Sequence, residues 1–402
     1  MKRNLLVGFI LLLSLAFTSC GDEEARIEKR AERIHKAILT VDTHCDTPMR
    51  LMRSDYDLGV WNEDGCVDFP RMKAGGLDAE FFAIYIGQGP RTPEAYQEAY
   101  KRTIQTFEKI YDNVEKNSDM AELAFTVDDA YRIKKTGKRI AFIGIENGYP
   151  IGKDLFKVEE FYDRGARYIT LSHSRNNDIC DSSTDDRGPE HNGLSDFGVD
   201  VVKEMNRLGM MVDVSHISDE AFYDVLETTT SPVIASHSSC RALCESPRNL
   251  DDNMLLALKD NGGVIQICIL SSYLKQPEPN PVLEEKLAEV RDKYNDFEDL
   301  SEEEFEKARR EYYQVRNKYR KLATVKDAVD HIVHVVQLVG IDHVGIGTDF
   351  DGGGGIEGVM DVSQMKNITY ELLRRGYSRK EIEKIWSANI MRVLSENEKN
   401  AG

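Results

Sequence analysis

The chain has 402 residues, 41% of them apolar, enough for one large core. Lysine and arginine number 52 against 70 aspartates and glutamates, a formal charge of −18. Such an excess opposes binding to nucleic acid and to anionic lipid headgroups, and its plainest use is a solvated surface.

Lys2 and Arg3 precede the apolar run LLVGFILLLSLAF, which is followed by TSC and GDEE. Basic, apolar and small-residue segments in that order read as a secretory signal over residues 1–19. The run is too short for a comfortable membrane span. Cys20 is similar to the lipobox cysteine of bacterial lipoproteins, which implies acylation and a lipid anchor holding an exported protein to the periplasmic or surface side of a cell membrane. Losing Lys2 and Arg3 leaves 70 acids against 50 bases, a charge of −20. Residues 20–36 read as a tether and first helix. Six cysteines remain, at 45, 66, 180, 240, 244 and 268, and their spacing gives neither a zinc repeat nor a disulfide connectivity.

From residue 37 to 397 short apolar runs alternate with helical stretches. The runs are AILTVDTH (37–44), AEFFAIYIG (79–87), RIAFIGIE (139–146), RYITLSH (167–173), GMMVDVSH (209–216), SPVIASH (231–237), GGVIQICIL (262–270) and DHVGIGTDF (342–350). Most are nearly continuous in apolar residues, as parallel strands buried on both faces are. Helix starts stand between them: Thr92-Pro93 before a long amphipathic stretch, Ser218 before DEAFYDVLE, and Thr324 before a helix that Gly340 can end. Eight alternations predict a single (β/α)8 barrel of the TIM type. The rival, an open doubly wound sheet, lacks a glycine-rich phosphate loop after its first strand. Residues 275–322 break the rhythm and read as a charged helical hairpin inserted between the last two strands, either a solvated excursion or a lid or subunit contact.

Polar residues gather where these runs end: His44 and Asp46, Glu146, His173, His216, His237 and Asp349. In a barrel all C-terminal strand ends meet at one mouth. One histidine there is most simply a hydrogen-bonded structural residue; four of the chain's nine, with three carboxylates, suit zinc or a similar divalent ion. A carboxylate can span two ions, and Glu146 is the candidate bridge. One metal then takes His44, Asp46 and Glu146, the other Glu146, His216 and His237. A water between the two would lose a proton near neutral pH and serve as nucleophile. His173 and Asp349 are left over. DFDGGGG (349–355) lacks the lysine of a phosphate loop and reads as a turn at the mouth, while Phe81, Phe82 and Tyr85 read as core.

VDTHCDTP, IENGYP, YITLSHSRNND, MVDVSHIS, PVIASHSS and HVGIGTDFDG stand in the order and spacing of the renal or membrane dipeptidases, the M19 zinc peptidases, which the chain resembles from about residue 38 to 394. The resemblance implies two zinc ions per chain, bridged by Glu146 and a water or hydroxide, and hydrolysis of a dipeptide amide. It implies ligation by His44, Asp46, Glu146, His216 and His237. His173 would contact the substrate carbonyl and Asp349 would carry the proton to the leaving amine. Arg248, in SPRNLDD, would grip the substrate carboxylate, as a guanidinium fork suits; the competing reading pairs it with Asp251 or Asp252. Asn147 departs from the family, which often has glycine there, and the 275–322 insertion is not a family feature. A homodimer is open. The rival functions are another binuclear metal amidohydrolase, acting on a cyclic amide, lactone or phosphoester, and a non-catalytic metal-containing surface lipoprotein.

Overall fold

The computed structural model describes residues 23–53, 56–298 and 300–402. The signal segment and Cys20 lie outside the described residues. Residues 23–37 are helical, and strand β1 (Val41–Cys45) follows.

The remaining strands are β2 (Ala79–Tyr85), β3 (Ala121–Leu123), β4 (Arg139–Glu146), β5 (Ala166–Thr170), β6 (Met211–Asp213), β7 (Ile234–Ser238), β8 (Val264–Cys268) and β9 (Val344–Gly347). All pairings between them are parallel, in the order β1-β2-β4-β5-β6-β7-β8-β9. The ring closes where β9 runs on beside the end of β1: Asp46 N donates to Phe350 O at 2.8 Å and Asp349 N to His44 O at 3.0 Å. The architecture is therefore the (β/α)8 barrel that the alternation predicts. Each of the eight apolar runs overlaps one barrel strand, and no strand reaches more than one residue beyond its run.

The short β3 lies beside the start of β4 rather than in the ring. Three residues carry too little periodicity to announce a strand.

The helix starts behave as their sequences require. Thr92 Oγ1 accepts from Ala95 N ahead of the helix Pro93–Lys116, and Ser218 Oγ accepts from Ala221 N ahead of Asp219–Thr228. Thr324 and Asp327 form a reciprocal capping box at the start of Val325–Val339, which Gly340 ends at φ 100°. These helices bury one face on the outside of the barrel. Inside it, Val41, Phe81, Phe142, Tyr168, Met211, Ile234 and Val264 pack together, closed at the bottom by Ile390, Met391 and Leu394 of the last helix. The insertion is two packed helices, Pro281–Lys293 and Glu302–Tyr319.

Candidate metal centre

Glu146 ends β4 with its carboxylate buried in the mouth, and its two oxygens face different partners. Oε2 lies 3.7 Å from His44 Nε2. Oε1 lies 3.0 Å from His216 Nε2, 3.4 Å from His237 Nε2 and 3.6 Å from His173 Nε2. Asp46 Oδ2 stands 3.8 Å from His44 Nε2. Three overlapping groups of ligand-type atoms, each within 4.8 Å, result: His44 with Glu146 and His237, Glu146 with His173 and His216, and His44 with Asp46 and Asp349. All seven residues read from the strand ends therefore meet. Geometry alone brings His173 and Asp349 as near as the five expected ligands.

Hydrogen bonds behind the cluster fix which ring nitrogens face it. Tyr168 Oη donates to Thr43 O at 3.1 Å, so its contact with His44 Nδ1 at 2.9 Å must receive that ring's proton. Ser236 Oγ donates to Asp213 Oδ2 at 2.6 Å and likewise receives the proton of His237 Nδ1 at 2.8 Å. In its neutral form each ring thus points a bare Nε2 into the cluster, the form in which imidazole binds a metal. Asp213 is itself held by four donors, from Thr170 Oγ1, Ser236 Oγ and the backbone of Ser215 and Ser236. Tyr168 and Asp213 are supporting residues that the strand-end pattern did not single out; an acid inside the buried run MVDVSH was the signal, because such a group must be hydrogen-bonded.

The other half is held by backbone. His216 sits at φ 71° and Asp349 at φ 60°, left-handed conformations that are uncommon outside glycine, although histidine and aspartate adopt them more readily than most, and that cluster at functional sites. His216 Nδ1 is buried without a hydrogen-bond partner. His173 has one side-chain partner, Ser174 Oγ at 2.8 Å, and its ring meets Tyr85 edge-on at 4.8 Å between centroids. The core reading of Tyr85 is therefore corrected: Phe81 lies in the barrel interior and Phe82 under the helices, but Tyr85, the last residue of β2, reaches the mouth beside Glu146.

Asn147, the departure from the family pattern, has φ 80°. Asparagine is among the residues that best tolerate the left-handed region after glycine. Its amide also donates to Ile86 O at 2.9 Å, while Oδ1 accepts from Tyr149 N and Asn177 Nδ2. In the DFDGGGG turn, the N–H groups of Gly352, Gly353 and Gly354 all bond Asp349 O. A Cβ on Gly352 would meet Asp46 Oδ2 and Asp349 Oδ1, so the chain there must be glycine to pass the two carboxylates.

Electrostatics favour added positive charge. Burial and then the charge of Glu146 push the Asp46 carboxyl well above its usual range. Burial raises Asp349 to about 6. Against its own burial, Glu146 is held well below the carboxylate range by His173, His44 and the hydrogen-bonding His216 and His237. Burial depresses His216 and His237, keeping them neutral. Three carboxylates and two oriented Nε2 atoms, with His44 Nε2 and Asp46 Oδ1 among them buried and without a hydrogen-bond partner, fit a divalent cation site.

Arg248 enters from the loop after β7. Its Nη2 donates to His237 O at 3.1 Å, its guanidinium lies 5.3 Å over the Tyr273 ring, and its buried Nε has no acceptor. Asp251 instead caps the helix Asp252–Asn261 by accepting from Met254 N, and Asp252 pairs with His334 at 2.7 Å. Among the described residues Arg248 has no ion pair, so the reading in which it merely pins its loop through Asp251 or Asp252 is corrected.

Over residues 28–402 the chain matches the family model of the membrane dipeptidases, peptidase family M19. It is 33% identical over 369 residues to dipeptidase tcpJ of Claviceps purpurea, covering 89% of this chain and 76% of that one. The probable dipeptidase PvdM from Pseudomonas aeruginosa superposes with a TM-score of 0.82 at 30% identity, over 94% of this chain and 100% of that one. A metallopeptidase from Rhodobacter sphaeroides, liganded with a phosphinate mimic of the dipeptide L-Ala-D-Ala, shares the fold with a TM-score of 0.72 at 22% identity, over 90% of this chain and 99% of that one. A match that runs from the N-terminal helix to the last residue, over a barrel whose mouth gathers this histidine and carboxylate cluster, makes the chain a member of the membrane dipeptidases, the metallopeptidases of family M19.

Proposed function

We propose that this dipeptidase works with two zinc ions bridged by Glu146 and acts on dipeptides that carry a free C-terminal carboxylate. The split of the Glu146 oxygens, one toward His44 and the other toward His216 and His237, supports the bridge. His44, Asp46 and Glu146 would hold one ion, and Glu146, His216 and His237 the other. When bound, such ions supply Lewis acidity at the scissile carbonyl and an acidified water as nucleophile.

The chain's own groups do the rest. His173, whose Nε2 faces Glu146 beside the cluster, donates to the carbonyl oxygen as charge develops there. Asp349, against Asp46 on the opposite side, takes the water's proton and returns it to the leaving amine. Arg248 binds the carboxylate end and so sets which bond lies over the metals.

The observation that carries the substrate reading is the unpaired Arg248, buried in a mouth of carboxylates with an unused Nε–H. A cyclic amide, lactone or phosphoester offers it no free carboxylate. Replacing Arg248 with Lys keeps the charge but not the planar fork. The expected loss in kcat/KM is roughly ten- to a hundredfold, as a charged hydrogen bond of about 1.5–3 kcal/mol implies, for free dipeptides and little for their C-terminal amides. Equal losses on both substrates, or wild-type enzyme indifferent to amidation, would replace the dipeptide reading with a broader amidohydrolase.

We further propose that the mature enzyme is exported and held to the membrane through acylated Cys20, on the strength of the lipobox-like TSCG. Among the described residues no helix is long and apolar enough to cross a membrane. Replacing Cys20 with Ser should move the protein from the membrane to the soluble fraction; identical fractionation of the two would refute the anchor.

A further inference from the structure

The inserted hairpin does not lie flat on the barrel. Between it and the loops after β8 and β9 is a cavity of about 810 Å³, within the size range of small-molecule sites. Its charged lining is mostly cationic: Lys275, Arg316, Arg320 and Lys321 against Glu278 and Glu357. Glu278 is already shared by Lys275 at 3.2 Å and Lys321 at 3.4 Å.

That leaves two guanidinium groups one helical turn apart at the end of Glu302–Tyr319. Among the described residues neither makes an ion pair or a side-chain hydrogen bond, and Arg320 Nε is shielded from solvent with no acceptor. A helix C-terminus favours basic residues, which explains their position in sequence. It does not explain a buried N–H without an acceptor, which is costly to leave unpaired. Nor does it explain why a chain of charge −18, with a hairpin rich in glutamate, leaves these two cations facing a cavity unneutralised. Burial, and then the charge of Arg316, also lowers the Arg320 guanidinium from its ordinary value.

We propose that this cavity is a binding site for a small multivalent anion, carboxylate or phosphate, held by Arg316 and Arg320. The planar fork of arginine matches the paired oxygens of either group. Leu270, Leu283 and Met360 add apolar wall, so an organic acid has carbon surface to bury. The site is separate from the catalytic mouth. Leu270 pairs with Gly355 and Gly355 N donates to Ile269 O at 3.1 Å, so the loop that begins at Asp349 forms the partition between them. Its occupant would tie the hairpin to that loop from outside.

The test is hydrogen exchange on the metal-loaded full chain, titrated with tricarballylate and, separately, with inorganic phosphate. Saturable slowing of exchange in residues 275–283 and 314–323 is expected with at least one of them, and the tighter probe identifies the anion as carboxylate or phosphate. Arg320→Gln and the exposed Arg316→Gln should each weaken that response by roughly ten- to a hundredfold, by the worth of a charged hydrogen bond. Lys318→Gln, on the same helix but outside the cavity lining, should leave it unchanged. Absence of any slowing with both anions, or slowing that persists undiminished in Arg316→Gln, would overturn the proposal.

Discussion

The ring nitrogens around Glu146 are held in two ways, giving a buttressed side, His44 and His237, and a loop-held side, His216 and His173, a division that cuts across the two oxygens of the carboxylate. His44 and His237 each rest on a chain of hydrogen bonds, through Tyr168 to Thr43 O and through Ser236 to Asp213, which settles the tautomer before any ion arrives. His216 has no such chain; a buried, unpartnered Nδ1 and a backbone at φ 71° put it in place. His173 has only the hydroxyl of its exposed neighbour Ser174. One side is therefore preorganised by side chains that sit in strands, the other by the shape of the loops that leave them. Residues in strands can be buttressed from the barrel interior; residues in the loops three positions beyond β5 and β6 stand above it.

The largest break spares both sides. Asp349→Asn keeps shape and removes proton transfer, so kcat should fall by ~10²–10⁴-fold while metal content stays at the wild-type value. Near wild-type kcat would remove Asp349 from the mechanism. Next comes the buttressed side itself. Tyr168→Phe and Ser236→Ala should each weaken metal affinity by about 10–100-fold, as loss of an orienting partner does, measured by competition with a chelator. Unchanged affinity in both would mean that packing, not the hydrogen bonds, orients His44 and His237.

A smaller effect probes backbone control next to Glu146. Asn147→Ala and Asn147→Gly lose the same four side-chain hydrogen bonds, but only alanine is strained at φ 80°. Alanine should therefore be the less stable by about 1–2 kcal/mol in denaturant unfolding. Equal stability would show that the left-handed backbone there is not under strain. Smallest of all, Ser174→Ala should change stability by less than about 0.5 kcal/mol and metal binding not at all, since its bond to His173 is exposed to water. A loss comparable to Tyr168→Phe would erase the difference between the two sides.

How much of this could be read from residues alone follows the same division. The strands were legible because each is a run of apolar residues buried on both faces, and the cluster because a barrel brings strand ends together. The supports were not, for physical reasons. Tyr168 in RYITLSH looks like any core aromatic, since nothing in sequence says that its hydroxyl meets a ring 124 positions away. Asp42 and Asp213 were acids in apolar runs, which signals a hydrogen-bonded group without naming the donors; in the structure Asp42 accepts from Thr348 N and Oγ1 across the barrel closure. Tyr85 was misread as core because alternation along β2 gives its face but not the height at which the strand ends. The left-handed turns at His216 and Asp349 have no sequence signature at all, since neither residue type demands them.

The bridge made by Glu146 is the claim on which the rest depends, and metal content tests it most directly. Elemental analysis of the reconstituted, desalted enzyme should give two zinc ions per chain, with Glu146→Gln falling below two and losing activity. One ion per chain with full activity would contradict the account.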